Sequence, residues 1–231
     1  MFIGHFGIGF AGKAAAPRVS LGALFLAAQF LDLLWPTLLM LGIERVRIVP
    51  GATAATPLLF EHYPVSHSLV AVLGWAVLVG AVFFAMRRES RGAIVMGLLV
   101  ASHWFLDLIV HQPDLPILPN GPMVGLGAWN SVPLTIALEL AFFGLGVWLY
   151  LRSTVTRDRV GTWALVALVG FLLVIFVANL FGDPPPSVGA IAWLGQAQWL
   201  LVLWGFWIDR HRTARAAAPV GGRGLDAAHA G

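Results

Sequence analysis

Asp32, His103, Asp107 and Glu139 are acidic or imidazole side chains inside long apolar stretches, and His62 and His67 stand at the mouth of another. A charged group at membrane depth is costly unless it pairs, binds an ion or lines a wet cavity. The spacings His62-x4-His67-Ser68 and Ser102-His103-x3-Asp107 suit the nitrogen and oxygen ligands of a divalent metal. On a helix His103, Asp107 and His111 share one face. The chain has no cysteine, which excludes thiolate sites and disulfides. Zinc fits four such ligands, and manganese or iron a larger shell. Simpler readings stand beside this one. His103 and Asp107 would make an intrahelical hydrogen bond, and His62, Tyr63 and His67 would suit a membrane interface. Glu139 would stay neutral, bonded to Gln196 or Gln198.

These residues need elements to hold them. The chain has 231 residues, 59% hydrophobic and 11% charged, with mean hydropathy +0.85, against about 25% charged in soluble domains. A span needs about 20 apolar residues. Six stretches qualify, at 20–42, 68–86, 92–110, 132–151, 160–181 and 188–208. The expected fold is an all-α polytopic membrane helix bundle occupying residues 1–212 as one domain, with a disordered cytoplasmic tail at 213–231. Positive charge follows the first apolar run instead of preceding it, so that run reads as part of the mature protein and not as a secretory signal.

Of the 14 Lys and Arg residues, all but Arg45 and Arg47 fall at one set of connections. This asymmetry places both termini in the cytoplasm of a multi-pass protein of the cell inner membrane. It also accounts for the pI of 10.2 without nucleic acid. His103 and Glu139 then lie about 10 Å below the outer ends of their helices. Asp32 lies near mid-span, and Pro36, four residues on, cannot donate to its carbonyl, which predicts a loosened helix there. Met1 to Phe10 is too short to span. A re-entrant helix running back from Lys13 would carry His5 about 12 Å into the membrane, towards Asp32. Ser66 is the expected N-cap of the second span.

The runs His62-Tyr63-Pro64-Val65-Ser66-His67-Ser68-Leu69 and Ser102-His103-Trp104-Phe105-Leu106-Asp107 resemble the predicted membrane-bound metal-dependent hydrolases, the YbcI/YdjM-like family. Gly4-His5 and Asp32 match that family's earlier motifs, so the resemblance covers about the first 110 residues. It implies metal ligands at His67, His103, Asp107 and Asp32, then His62 and His5. Its Pro-Asp-x-Asp-His cluster is reduced here to Leu31-Asp32-Leu33-Leu34, and its His-Arg-Gly to His62-Tyr63-Pro64. These departures imply one metal instead of two, or a site that no longer catalyses. A more distant similarity, through His-x3-Asp, is to zinc-dependent phospholipase C.

Three functions remain open. One is hydrolysis of a lipid or lipid-linked ester at the outer leaflet, with Asp32, His62 or Glu139 as catalytic base beside the metal. Another is a transporter using Asp32, His103, Asp107 and Glu139 as a proton or ion relay. The third is a noncatalytic membrane protein with a structural metal site.

Overall fold

Serine and acidic residues stand at the starts of the apolar stretches, where a helix needs acceptors for its free N–H groups. The computed structural model describes residues 1–215. The chain begins with α1 (Ile3–Ala15), α2 (Leu21–Ala28) and α3 (Phe30–Met40). A hairpin of β1 (Arg45–Ile48) and β2 (Leu58–His62) leads to a single turn, α4 (Pro64–His67), then to α5 (Leu69–Arg87) and α6 (Ser90–Val110). Two short strands, β3 (Leu115–Pro116) and β4 (Met123–Val124), and a 3-10 turn at Ala128–Asn130 precede α7 (Val132–Ser153). The chain continues through β5 (Thr154–Thr156), α8 (Arg159–Phe181), α9 (Val188–Arg210) and β6 (Arg212–Ala214). Ser68, Ser131 and Ser187 accept from the N–H three residues on, opening α5, α7 and α9. The cap of α5 is thus Ser68 and not Ser66.

Among the described residues, α5 to α9 are each long and apolar enough to cross a membrane. The pair α2 and α3, bent by 56°, makes a sixth when taken as one span. The protein is an all-α multi-pass bundle. Its bend falls at Gln29, which ends α2 and precedes α3, and not at Pro36. Pro36 costs one backbone bond but is buried inside α3. It is packed so closely on α9 that a Cβ at Gly195 would come within 2.4 Å of it.

α1, about 20 Å long, is too short to span and lies inside the bundle, with Ile3, Phe6 and Phe10 fully buried. It packs on α7 with almost no space between the backbones. A Cβ on Gly146 would stand 1.9 Å from the Gly7 carbonyl oxygen. Small residues permit such crossings in membranes, where apolar surface gives no drive to associate. The end of α1 is fastened at the basic face, where Lys13 Nζ meets Asp209 Oδ1 and the Val19 carbonyl, both at 2.8 Å. Its start is far from that face. Met1 packs with Leu106, Val110 and Ala128 near the other end of α6, so the first residue lies inside the bundle and not at the basic connections. At the basic end β5 pairs with β6. Residues 213 and 214 are therefore in a strand, and 216–231 of the expected tail lie outside the described residues.

Candidate metal centre

Four elements bring the site together. α6 carries His103 and Asp107 one turn apart, α3 brings Asp32, α4 brings His67 and α1 brings His5. His103 Nε2 lies 3.3 Å from Asp107 Oδ2 and 3.6 Å from Asp32 Oδ1. His67 Nε2 lies 3.7 Å from Asp107 Oδ2 and 3.8 Å from Asp32 Oδ1. These separations exceed those of N–H···O hydrogen bonds, about 2.7–3.2 Å. They approach the spacing of atoms sharing one ion, since tetrahedral ligands at about 2.0–2.1 Å from zinc stand about 3.4 Å apart.

Taken as neutral rings, His103 and His67 have partners that place their protons on Nδ1, away from this centre. His103 Nδ1 lies 2.8 Å from the Ala28 carbonyl, which can only accept. That carbonyl is in the last turn of α2, where helix carbonyls lack intrahelical partners. Nε2 of His103 then carries the lone pair, and it is buried without a hydrogen-bond partner. His67 Nδ1 lies 2.6 Å from Ser66 Oγ, whose proton goes to Glu44 Oε2, also at 2.6 Å. With its one proton given to the carboxylate, the serine accepts from His67, and His67 Nε2 also faces the acids as a lone pair. Tying down the outer imidazole N–H is the usual support of a metal-binding histidine.

The two oxygens of Asp107 do different work. Oδ2 faces His67 and His103, whereas Oδ1 accepts from the Met1 nitrogen at 2.5 Å and pairs with His5 Nε2 at 3.1 Å. The His5 ring stacks on His103, centroids 3.5 Å apart and planes 9° from parallel. His5 therefore reaches the site as expected from the re-entrant helix, but hydrogen-bonds Asp107 instead of meeting Asp32. Two groupings could hold a metal ion, Asp32 with His67 and His103, and His5 with His103 and Asp107.

A cavity of about 140 Å³ adjoins the cluster, lined by Asp32, His67 and Asp107 and walled by Trp35, Phe60 and Trp129. Asp32 faces it with 22% of its side chain exposed, against 0–4% for His67, His103 and Asp107. His111 also lines it, just past the end of α6, with Nδ1 held by Asp114 Oδ1 at 2.9 Å. Burial lowers the His111 pKa, although the Asp114 hydrogen bond pulls the other way. A larger cavity, about 270 Å³, lies at the basic end among Ala16, Pro17, Arg18, Glu89 and Arg91, and the His/Asp cluster does not line it.

Two sequence-derived candidates stand apart. His62 ends β2 opposite Arg45, and neither ligand grouping includes it. The backbone from His62 to His67 is a strand end, a Tyr63 kink and one helical turn, so a five-residue spacing does not set both rings on one face. Glu139 is bonded not to Gln196 or Gln198 but to the N–H groups of Phe2 and Gly4, both at 2.7 Å. It caps the start of α1, where a carboxylate also meets the favourable end of the helix dipole. Gln196 instead donates to Thr37 Oγ1 at 2.7 Å. Sequence reasoning missed Glu44, which directly follows the α3 turn and is 1% exposed. An unpaired acid before Arg45 and Arg47 gave no sign of a buried role.

Comparisons of the chain with protein-family models, with curated proteins and with solved structures find no match.

Proposed function

We propose that this protein is a membrane-embedded metal-dependent hydrolase whose ion is held by Asp32, His67, His103 and Asp107. The observation that carries the reading is the pair of imidazoles with both Nδ1 atoms occupied and both Nε2 atoms turned on the same two carboxylates at 3.3–3.8 Å. Two nitrogens and two oxygens make a donor set for zinc, with manganese or iron as the other fits. The resemblance to the YbcI/YdjM-like hydrolases supports the same ligands.

The adjoining cavity favours a catalytic over a structural site, because catalytic sites keep a position open for water and substrate. Bound there, a divalent ion supplies a Lewis acid and a water of lowered pKa. Asp32 is placed to take a proton from a group entering the cavity. His5 and the Met1 nitrogen hold Asp107 still, and Trp35, Phe60 and Trp129 exclude bulk water. The cavity lies at the end of the bundle away from the basic connections, which fits the outer leaflet of a cell inner membrane with basic loops inside. Its small volume suits the reacting end of a lipid or lipid-linked ester whose apolar part stays in the bilayer. The proton-relay alternative loses support, since Glu139 is committed to the α1 N–H groups.

The test is metal content of detergent-purified full chain, wild type beside His103→Ala. About one equivalent in the wild type, lost in the variant, is expected for one ion. Retention of metal in a His103→Ala/Asp107→Ala double variant overturns the ligand set. Turnover of phospho- or acyl-lipids that follows the metal then separates hydrolase from structural site.

A further inference from the structure

Glu44 is a carboxylate buried within the bundle, and each of its hydrogen bonds leads to α4. Oε1 accepts from the N–H groups of Val65 and Ser66, both at 2.8 Å, and Oε2 accepts from Ser66 Oγ at 2.6 Å. Capping one short turn explains Oε1 alone, and a neutral acceptor would suffice for it. Oε2 is spent on a hydroxyl whose other neighbour, at 2.6 Å, is His67 Nδ1. A carboxylate has no proton to give and a serine has one. The chain of bonds therefore has one polarity: His67 Nδ1–H to Ser66 Oγ, and Ser66 O–H to Glu44.

We propose that Glu44, acting through Ser66, is a positioning residue that fixes the tautomer of His67 so that its Nε2 lone pair is free for a divalent cation. The inference rests on the metal reading above and adds the device that prepares one ligand. His103 has a backbone carbonyl for the same purpose, whereas His67 sits on a single helical turn after a kink at Tyr63. Without the relay its ring would have no fixed proton position.

Glu44→Gln reverses the polarity at almost constant shape. The amide oxygen still caps Val65 and Ser66, but the amide NH₂ now donates to Ser66 Oγ. The hydroxyl then donates to His67 Nδ1, and the imidazole proton moves to Nε2, where a cation would sit. Zinc affinity of the full chain in detergent, by competition with a chelator, should fall about 10–100-fold in Glu44→Gln. Glu44→Asp, which keeps the polarity, should recover most of it. In a His67→Ala background Glu44→Gln should change nothing further, whereas a merely structural role would persist.

¹⁵N NMR of the metal-free protein reads the tautomer directly. His67 protonated at Nδ1 in the wild type and at Nε2 in Glu44→Gln is the expected result. An unchanged tautomer, or zinc affinity in Glu44→Gln equal to a zinc-binding wild type, overturns the proposal. If the wild type binds no zinc, the metal reading falls, and the NMR result alone supports or overturns the relay.

Discussion

His103 and Ala28 are joined across two helices by a hydrogen bond of 2.8 Å from the imidazole Nδ1 to the carbonyl oxygen. The bend at Gln29 and the end of α2 put that carbonyl where α6 presents its histidine. The interruption of the first span thus contributes to the site, because it turns a backbone acceptor towards His103 and orients its ring.

If the proposed site binds zinc, removing the His103 ring should remove the response of the fold to metal. A ligand that binds only the folded state stabilises it by about 2.7 kcal/mol at a hundredfold excess over its Kd. Zinc should therefore raise the thermal midpoint of the wild type in detergent and leave His103→Ala unmoved. Equal zinc-induced shifts in both proteins would remove His103 from the ligand set.

The contact of Gly7 with Gly146 controls how deeply α1 sits, and α1 carries His5 to Asp107. Gly146→Ala puts a methyl 1.9 Å from the Gly7 carbonyl oxygen, so the helices must part. Overpacking of this kind costs about 1–3 kcal/mol, and metal affinity should fall too, although residue 146 touches no ligand. Gly144, one helical position pair away, has nothing within 4 Å of an added Cβ. Gly144→Ala should be neutral, or stabilising by up to about 1 kcal/mol through helix propensity. Chemical denaturation and zinc titration of the two variants side by side check this.

Much of this was legible because helices have a fixed period. The i, i+4 spacing alone places His103 and Asp107 together, and the length and charge of the first 13 residues turn His5 back into the bundle. What escaped depends on groups with no sequence signature. The partner of His103 is a carbonyl and the partners of Glu139 are amides, which every residue possesses. Ser66 and Ser68 are equivalent as letters, and only the Tyr63 kink decides which caps α5 and which supports His67. The bend at Gln29 has neither proline nor glycine to mark it. His62 stands apart from the cluster because the chain between it and His67 is a strand end, a kink at Tyr63 and one helical turn, a course that the motif spacing does not reveal.

At the basic end, Asp158 caps α8 through Gly161 N–H at 2.9 Å and meets His211 Nδ1 at 2.7 Å, beside the β5–β6 ribbon. The His211 hydrogen bond, then that of Gly161, holds its pKa below the ordinary 3.8. A carboxylate with a lowered folded pKa adds stability above its unfolded pKa and loses it as pH falls through the folded value. Wild type should be more stable than Asp158→Ala from neutral pH down to about 5, and the gap should close below about 4. A gap that widened below about pH 4 would refute the assignment.

Glu139 separates a helix cap from a proton carrier. Its carboxylate accepts from Phe2 and Gly4, and α1 in turn delivers His5 to Asp107. Glu139→Ala strands two N–H groups in the bundle interior, at about 1–3 kcal/mol each when buried donors lose their acceptor. It should destabilise the protein and weaken zinc binding through displacement of α1. Glu139→Gln keeps one acceptor oxygen, so it should retain most zinc affinity and at least half of the lost stability. A proton carrier would be disabled by both substitutions alike, because an amide does not titrate. Turnover that survives in Glu139→Gln and fails in Glu139→Ala marks the cap. Abolition of turnover in both, with zinc still bound to Glu139→Gln, would return Glu139 to the chemistry.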